Sequence, residues 1–462
     1  MEPLDTDSPY WERYWESVSG KGNARMRAKA LFTATAAMSV LAGVSSVHAQ
    51  TIAGTGSVGP GVGEMFRRDR NVSVRNHARP GYEALGVRVG GFYALPKVTA
   101  TATYDDNIYA KATTKETDLI GALIAEVTAG STWSRHSVNF YGRIERDQYK
   151  DHTDESRTTY VVGGSGQIDV NQDFAINGGV RYNHSTELRT ASGAPSTVRT
   201  PVQFGLTTVN LSAAKAFNRL RLSASYELDN FNYQDTVDFL GNPLPQSYRN
   251  RNTHNWAARA DYAVSPDTAV FIQVSGDARN YQVRPPNPLS NGLDRNSSGY
   301  ELSVGADFQL AALMRGQLRA GYLKHSFADP TLPGVTGLGA RADVEWYPTE
   351  LTTVAVYGGR EVKDTGLRNS PTSLSTTAGI QVDHELLRNV ILTGKYDYSH
   401  DVFDGIDRTD QRNAVSAGAV YLMNHRVGLS LLYTLLKQNS EGVNLGPLYT
   451  VNRVSASLVV QY

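Results

Sequence analysis

The feature that most limits what this chain can fold into is a two-residue alternation of apolar and polar side chains over long runs. In YELSVGADFQL (300–310) every second residue from Leu302 to Leu310 is apolar, and polar or small residues stand between them. VILTGKYDYSHD (390–401) alternates in the same way. Side chains of a β-strand point alternately to two faces, so each run predicts a strand with one apolar face. Strands of soluble domains typically have about five or six residues, whereas about 9–11 are needed to cross a bilayer.

Two classes of connection join these runs, and they alternate along the chain. Short turns lie at 134–135, 171–173, 217–219, 265–268, 311–314, 348–351, 387–389 and 424–426. Longer polar segments lie at 105–117, 150–157, 184–201, 234–251, 283–297, 328–337, 365–372, 402–412 and 439–449. Outer-membrane barrels have this asymmetry, with short periplasmic turns and longer extracellular loops. The pattern predicts an all-β fold for residues 97–462, a transmembrane antiparallel up-and-down β-barrel of about 18 strands, with about 16 or 20 as alternatives.

A soluble β-propeller is the competing interpretation, because its blades also repeat at intervals of about forty residues. Each blade has four short strands, however, whereas each unit here holds two long ones. The spacing therefore favours the barrel. Lipid cannot satisfy the backbone groups of an open sheet edge, so the last strand of such a barrel must pair with the first.

The final run, TVNRVSASLVVQY (450–462), alternates up to its last residue. Its even-numbered residues from Val454 onward are expected to face lipid. Tyr462 would lie at the periplasmic interface, where aromatic girdles occur. The closing residues Leu458, Val460 and Tyr462 are similar to the C-terminal signal that the barrel-assembly machinery reads, although Phe is the commoner last residue there.

Residues 26–49 contain the one helical apolar run and predict a secretory signal peptide. A basic start is followed by an apolar stretch and by small residues that precede a cleavage site between Ala49 and Gln50. A transmembrane anchor is the alternative, but about fifteen apolar residues are few for a bilayer span. Residues 1–25 are acidic and aromatic, and we interpret them as an over-extended reading frame without structure.

Residues 50–96 are rich in Gly and Arg, lack sustained periodicity, and predict an irregular periplasmic segment. A segment this short holds no core of its own. It either hangs free or docks on a partner, or it enters the lumen as a partial plug that meets inward carboxylates such as Asp307 and Glu345. The free or partner-docked state is the expectation. The basic residues that a plug would use are Arg67, Arg68, Arg70, Arg75 and Arg79.

Composition excludes several classes of function. The chain has 45 basic and 45 acidic residues, and zero net charge argues against nucleic-acid binding, which usually needs a basic surplus. It has no cysteine, which rules out disulfides and thiolate metal sites. No cofactor and no metal site are expected.

Charged residues inside the predicted strands fix most of the inward faces, because an ion on the lipid face costs up to about 2–4 kcal/mol at mid-membrane. Both signs are interspersed. They predict either a hydrated pore without strong charge selection or a wall of cross-strand salt bridges, and the two are compatible in a barrel of about 16–18 strands. The predicted lumen-lining residues are Arg143, Glu145, Arg181, Arg221, Glu227, Arg259, Asp261, Asp277, Arg279, Glu301, Asp307, Arg319, Arg341, Asp343, Glu345, Lys395 and Asp397.

Two stretches, 79–110 and 344–365, resemble the outer-membrane β-barrel porin family of Gram-negative bacteria that is often encoded in exopolysaccharide loci. The motifs are Arg79-Pro80, Gly90-Gly91, Pro96 and Tyr104-Asp105-Asp106-Asn107. The resemblance covers about residues 79–462. It implies an outer-membrane protein that contacts lipids, lipopolysaccharide and the barrel-assembly machinery, in a setting of polysaccharide export or surface assembly. Polysaccharide or its periplasmic export proteins would then be partners.

Two functional hypotheses remain, a channel for hydrophilic solutes and a structural or adhesive barrel with a closed, salt-bridged lumen. Catalysis is not expected. His400 and Asp401 lie near an extracellular strand end, as in barrel proteases, but the alternation places the His400 side chain on the lipid-facing side of its strand. The acidic residues Asp401, Asp404, Asp407 and Asp410 are spaced by three, which is not the EF-hand spacing, so a solvated acidic loop is favoured.

Overall fold

The structure is a computed structural model that describes residues 72–195, 197–310 and 313–462. The predicted signal peptide, its Ala49–Gln50 cleavage site and the interpretation of residues 1–25 lie outside the described residues and stay predictions. Within the described ranges, no helix has the length and apolar character that crossing a membrane requires. The 3-10 helices of these ranges are single turns at Val74–Asn76, Thr153–Glu155, Ser247–Arg249 and Pro288–Ser290.

Eighteen long strands of 13 to 16 residues form the wall. The first nine are β1 Phe92–Asp105, β2 Asp118–Ser131, β3 Ser137–Tyr149, β4 Arg157–Asp169, β5 Phe174–Thr186, β6 Gln203–Phe217, β7 Leu220–Tyr233, β8 Arg251–Ser265 and β9 Thr268–Tyr281. The second nine are β10 Ser297–Leu310, β11 Met314–Phe327, β12 Val335–Thr349, β13 Thr352–Asp364, β14 Thr372–Leu387, β15 Val390–Phe403, β16 Thr409–Leu422, β17 Val427–Glu441 and β18 Tyr449–Gln461.

Each strand pairs antiparallel with its neighbours in sequence, and β18 pairs with β1 from Lys97–Gln461 to Asp105–Arg453. The sheet is therefore a closed ring, which confirms the predicted 18-stranded barrel. Closure follows from the chemistry of lipid, in which an unpaired strand edge has no hydrogen-bond partners. The strands are joined by the predicted short turns at one end and long loops at the other, in strict alternation.

The first long strand begins at Phe92, five residues before the predicted boundary at Lys97, and a three-residue strand, Val87–Val89, precedes it and pairs with its start. Proline lacks the N–H that a strand donates, so it is confined to positions where no partner strand needs that donor. Here Pro96 lies where β18 ends, and its carbonyl accepts a hydrogen bond from the Tyr462 amide at 3.3 Å. Its missing donor therefore faces the end of the partner strand, so the barrel starts before the proline.

The two faces of each strand have opposite character. In β7, Leu220, Leu222 and Tyr226 are exposed on the outer face, while Arg221 and Glu227 lie on the inner face and are partly buried. The same alternation continues around the ring, so the outer surface is an apolar band and the inner surface is polar. This arrangement reverses that of a soluble protein and is the one a lipid-embedded barrel requires.

Candidate functional site

The candidate functional site is the lumen, whose wall is covered by ion pairs between nearby inward side chains. Arg259 bridges Asp261 on its own strand and Asp307 two strands away, each at 2.5 Å. On β12, Arg341 and Asp343 pair at 2.8 Å. Cations and anions therefore lie beside one another on the wall, and the described inward residues carry both signs.

The structure places all the predicted lumen residues on inward-facing positions of the strands. Further ion pairs among them and their neighbours are Arg143–Glu145 at 2.7 Å, Arg279–Asp277 at 3.1 Å, Arg319–Glu301 at 3.4 Å, Arg315–Glu345 at 2.5 Å and Lys395–Asp397 at 2.9 Å. Arg181 occupies an inward position of β5, and Arg221 and Glu227 occupy inward positions of β7.

Exposure divides the lumen into a wet and a dry part. The side chains of Arg341 and Asp343 remain 48% and 44% exposed inside the barrel, so they face open space. The side chains of Arg259 and Asp261 are only 5% and 3% exposed. Water thus reaches one stretch of the charged wall and is excluded from another.

The loop after β5, residues 187–202, crosses the mouth of the barrel, and we call it the crossing loop. The carbonyl of Thr190 accepts a hydrogen bond from the Tyr449 hydroxyl at the start of β18, at 2.8 Å. Ser192 donates to Asp401 of β15 at 3.2 Å. In a ring of eighteen strands β15 lies almost opposite β5, so this loop spans the extracellular opening.

Loops 234–250 and 365–371 pack against the crossing loop, loop 282–296 packs against those two, and together the four form what we call the loop cluster. Arg249 makes a bidentate pair with Glu187 at 2.6 and 2.9 Å. Burial on its own lowers the pKa of the Arg249 guanidinium, but the Glu187 carboxylate outweighs burial and raises it, so Arg249 stays charged. A buried bidentate pair of this kind holds its two loops in a defined position.

Close backbone contact within the loop cluster depends on glycine. A Cβ atom on Gly366 would lie 2.6 Å from the carbonyl oxygen of Gly193 and 3.0 Å from the Arg249 guanidinium. Gly193 itself has a positive φ of 74°, which few other residues adopt. The hydroxyl of Tyr248 also donates to the Gly366 carbonyl at 2.7 Å.

Below the loop cluster, Asp364 at the end of β13 joins walls that are four and five strands apart. It pairs with Arg251 of β8 at 2.9 Å and with Arg279 of β9 at 3.2 Å. The Tyr281 hydroxyl donates to the same carboxylate at 3.3 Å. The lumen is therefore bridged by side chains as well as by loops at its extracellular end.

The opposite end of the lumen holds residues 73–79, which we call the docking segment. Arg75 pairs with Asp383 at 2.9 Å and Arg79 with Glu385 at 2.7 Å, both on β14. Val74 is fully buried against the inner wall, with contacts that include Val459. The expectation of a free segment is thus wrong for these residues, and the acidic partners are Asp383 and Glu385 in place of the suggested Asp307 and Glu345.

The discounted catalytic and metal candidates have other roles. His400 and Asp401 are adjacent in β15 and point to opposite faces, and Asp401 pairs with Arg412 at 2.9 Å. Asp410 pairs with Arg408 at 2.6 Å. Within the described part of the chain, no three His, Cys, Asp or Glu side chains are grouped so that they could hold a metal ion.

Residues missed by the sequence reasoning lie mainly at strand ends and in loops. Glu187 and Arg249 pair with each other within the loop cluster, and Asp364 pairs with Arg251 five strands away, so each partner is distant in sequence. Asp383 and Glu385 lie on the same, inward face of the alternating run that forms β14. The alternation alone could therefore have added them to the predicted lumen-lining residues.

Closure of eighteen strands, an apolar outer band and a charged interior define an outer-membrane β-barrel of the porin class. The family described as "Putative beta-barrel porin 2" matches residues 79–462, and the chain belongs to this family. The protein therefore resides in the outer membrane of a Gram-negative bacterium.

Solved structures of outer-membrane proteins from Pseudomonas aeruginosa are similar in fold. OccK2 (OpdF) aligns with a TM-score of 0.44 at 11% identity, over 80% of this chain and 98% of that chain. OpdK, solved with vanillate, aligns at 0.40 and 8% identity, over 80% and 99%. The ferric enterobactin receptor PfeA aligns at 0.44 and 6% identity, over 80% of each chain. No curated protein matches the chain.

Proposed function

We propose that the protein is a gated channel for hydrophilic solutes. The observation that carries this proposal is the exposure of charged inward side chains such as Arg341 and Asp343 inside a closed wall. A ring of eighteen strands is too wide for side chains to fill, so the exposed part of the lumen holds water. Because cations and anions alternate on the wall, the passage selects weakly by charge.

The gates in this proposal are the loop cluster at the extracellular end and the docking segment at the other. Each is held by salt bridges that can open without breaking the strands, since Glu187, Arg249, Arg75 and Arg79 all lie outside the eighteen strands. A passage closed by such contacts opens when a solute, a partner or a change of conditions competes for them.

Polysaccharide export or surface assembly is the setting that we propose for the channel. Its support is the resemblance of the entry segment to barrels encoded in exopolysaccharide loci, together with a wet wall of hydrogen-bonding side chains that suits a hydroxyl-rich polymer. Deleting the gene should lower the amount of secreted polysaccharide. Unaltered polysaccharide would leave a channel for other hydrophilic solutes.

Planar-bilayer recordings of the purified protein test the channel itself. Deletion of residues 50–78, or the double substitution Asp383→Asn and Glu385→Gln, should release the docking segment and raise the conductance. Arg88→Gln is the control, because the Arg88 side chain is exposed and donates its hydrogen bond to the nearby Gly90 carbonyl. Conductance below detection in every variant would contradict the proposal.

The second candidate function is a structural or adhesive barrel with a closed lumen. The dry bridge between Asp364 and the guanidinium groups of Arg251 and Arg279 favours it, since these side chains tie together parts of the wall that are four and five strands apart. This function predicts no conductance, even after both the docking segment and the loop cluster are released.

A further inference from the structure

The wall of the barrel is not continuous between β12 and β13. These strands pair from Thr349–Thr352 to Ala340–Arg360, and the register stops there. Residues 335–339 of β12 continue to pair with β11 only, and residues 361–364 of β13 continue to pair with β14 only. The two strands therefore separate over the extracellular part of the wall, and we call this separation the wall gap.

The wall gap has a structural cause inside the lumen. The end of β13 turns inward, because Asp364 is drawn to Arg251 and Arg279. The Val362 carbonyl also accepts a hydrogen bond from Arg279 at 3.1 Å. β12 does not follow, and its residues 335–339 keep backbone groups directed toward a partner strand that has moved away. Unpaired backbone groups next to lipid are costly, so the wall gap needs an occupant with polar atoms.

A groove of about 1160 Å³ on the outer face leads to the wall gap. Its walls include Leu318 and Leu338, which are 46% and 57% exposed, and its floor is formed by small residues such as Ala320, Ala340 and Ala342. The neighbouring outer surface has the larger side chains of Leu and Val, so the small side chains here leave a groove in the apolar band. An acyl chain is the shape and chemistry that such a groove accepts.

Arg360 stands at the meeting point of the groove and the wall gap. It is the last residue of β13 that pairs with β12, and it has the parity of the lipid face. Its Nε atom is buried and has no hydrogen-bond partner in the described part of the chain. Lys324 is exposed on the same outer face and pairs in register with Thr336, at the edge of the wall gap. Two cations beside an apolar groove suit an anionic head group.

We propose that the wall gap binds an anionic lipid of the outer leaflet, with its phosphate at Arg360 and an acyl chain in the groove lined by Ala320, Ala340 and Ala342. A phosphate oxygen would accept from the free Nε of Arg360 and from neighbouring backbone amides of β12. Arginine recognises phosphate through such charge-assisted hydrogen bonds. The proposal goes beyond solute passage and is independent of whether the lumen conducts.

Lipid retention tests the site. The purified protein should retain a phosphate-bearing lipid through detergent exchange, measured by mass spectrometry, and Arg360→Gln should lower the retained amount about tenfold, as expected for the loss of a charge-assisted hydrogen bond of roughly 1.4 kcal/mol. Arg146→Gln is the matched control, because Arg146 also faces lipid but contacts Thr158 and Gln148 in a fully paired part of the wall. Equal retention by Arg360→Gln and the wild type would overturn the proposal.

Reconstitution separates the possible sources of the phosphate. Binding to vesicles that contain lipopolysaccharide or phosphatidylglycerol should exceed binding to pure phosphatidylcholine vesicles, and the preferred anionic lipid identifies the occupant. Inorganic phosphate alone should not displace the lipid, because it cannot fill the groove. Displacement by inorganic phosphate would reduce the site to a phosphate contact and contradict the lipid assignment.

Cysteine pairs test the wall gap itself, since the natural chain has no cysteine. Val344→Cys with Val356→Cys places two thiols on register partners and should form a disulfide under mild oxidant. Leu338→Cys with Val362→Cys would be partners only if the register continued, and this pair should stay reduced in folded protein. Cross-linking of the second pair as fast as the first would show a continuous wall and end the proposal.

Discussion

At the scale of single residues, the odd or even position of a residue within its strand decides whether a charged side chain points into the lumen. It does not decide which residue that side chain pairs with. The sequence places Arg279 and Asp277 inside, and they are inside. It gives no sign that Arg279 also meets Asp364, which lies 85 positions further along the chain. A partner across the lumen depends on how the wall bends, and that is set by the whole ring.

The alternation of side chains along the strands also did not identify the lipid-facing cations, which are Arg146, Lys215, Lys324, Arg360 and Lys437. The assumption that charge points inward holds at mid-membrane, where an exposed ion costs about 2–4 kcal/mol. Near the interfaces the cost falls to about 0–1 kcal/mol. Four of them lie in the extracellular halves of their strands and Lys215 lies near the periplasmic end of β6, so head groups can solvate all five.

Asp364 is the residue whose loss should be most costly. Asp364→Asn would leave Arg251 and Arg279 charged, each with a side chain less than a tenth exposed. Breaking a buried ion pair in this way destabilises by about 3–5 kcal/mol. We expect the temperature at which the folded barrel unfolds, read from its heat-modifiable band on gels, to fall clearly.

The control for Asp364 is Asp343→Asn, which breaks the Arg341 pair at a position that water reaches. Exposed pairs contribute about 0–1 kcal/mol, so the unfolding temperature should scarcely change. Equal falls in the unfolding temperature of the two variants would show that the Asp364 ion pairs stabilise the barrel no more than the exposed pair does.

The loop at 150–156 should respond to pH through His152, which contacts Asp118 at 3.0 Å and Glu116 at 3.1 Å. Burial lowers the pKa of His152, but the hydrogen bonds and charges of the Asp118 and Glu116 carboxylates together outweigh burial and raise the pKa above its ordinary value of 6.5. The stabilisation is therefore complete below the ordinary value and is lost as pH rises through the higher folded pKa.

Amide hydrogen exchange of residues 150–156 measures this effect. After correction for intrinsic rates, protection should be greater at about pH 5.5 than at about pH 8. His152→Gln should remove that difference. A wild-type loop with the same protection at both pH values would refute the prediction.

At the scale of elements, strands and turns could be predicted closely because their signal is local. Alternation marks a strand, and its interruption by residues such as Asn218, which adopts a positive φ of 52° in the turn between β6 and β7, marks a turn. The start of β1 at Phe92 lies before the predicted one, and Pro96 is tolerated within the strand because it lies beside the end of β18.

The closing strand should be sensitive at its last residue. Tyr462 is 48% exposed on the outer face, and its backbone bonds to Pro96 and Gly86 tie the last residue to the entry segment. Tyr462→Asp places a charge at the membrane interface and removes the aromatic ring, so we expect assembly into the membrane to fail. The measurement is the amount of heat-modifiable, membrane-inserted protein.

The control keeps the ring and changes only the hydroxyl. Tyr462→Phe should assemble at wild-type levels, since Phe is also an interfacial aromatic. Normal insertion of Tyr462→Asp would mean that the terminal aromatic residue is dispensable.

At the scale of the whole molecule, the strand count and ring closure could be predicted from the sequence, and the contents of the lumen could not. Ring closure follows from the general requirement that no strand edge meets lipid. The crossing loop and the docking segment depend on contacts between residues hundreds of positions apart, such as Arg79 with Glu385. The two-residue alternation that predicts strands gives no information about contacts between residues so far apart in one sequence.

The crossing loop also sets an order in time. Thr190 is made early in the chain, and its partner Tyr449 belongs to the last strand, 259 residues later. The loop cannot make this contact until β18 has taken its place, so the hydrogen bond between Thr190 and Tyr449 forms only after the whole wall has been synthesised.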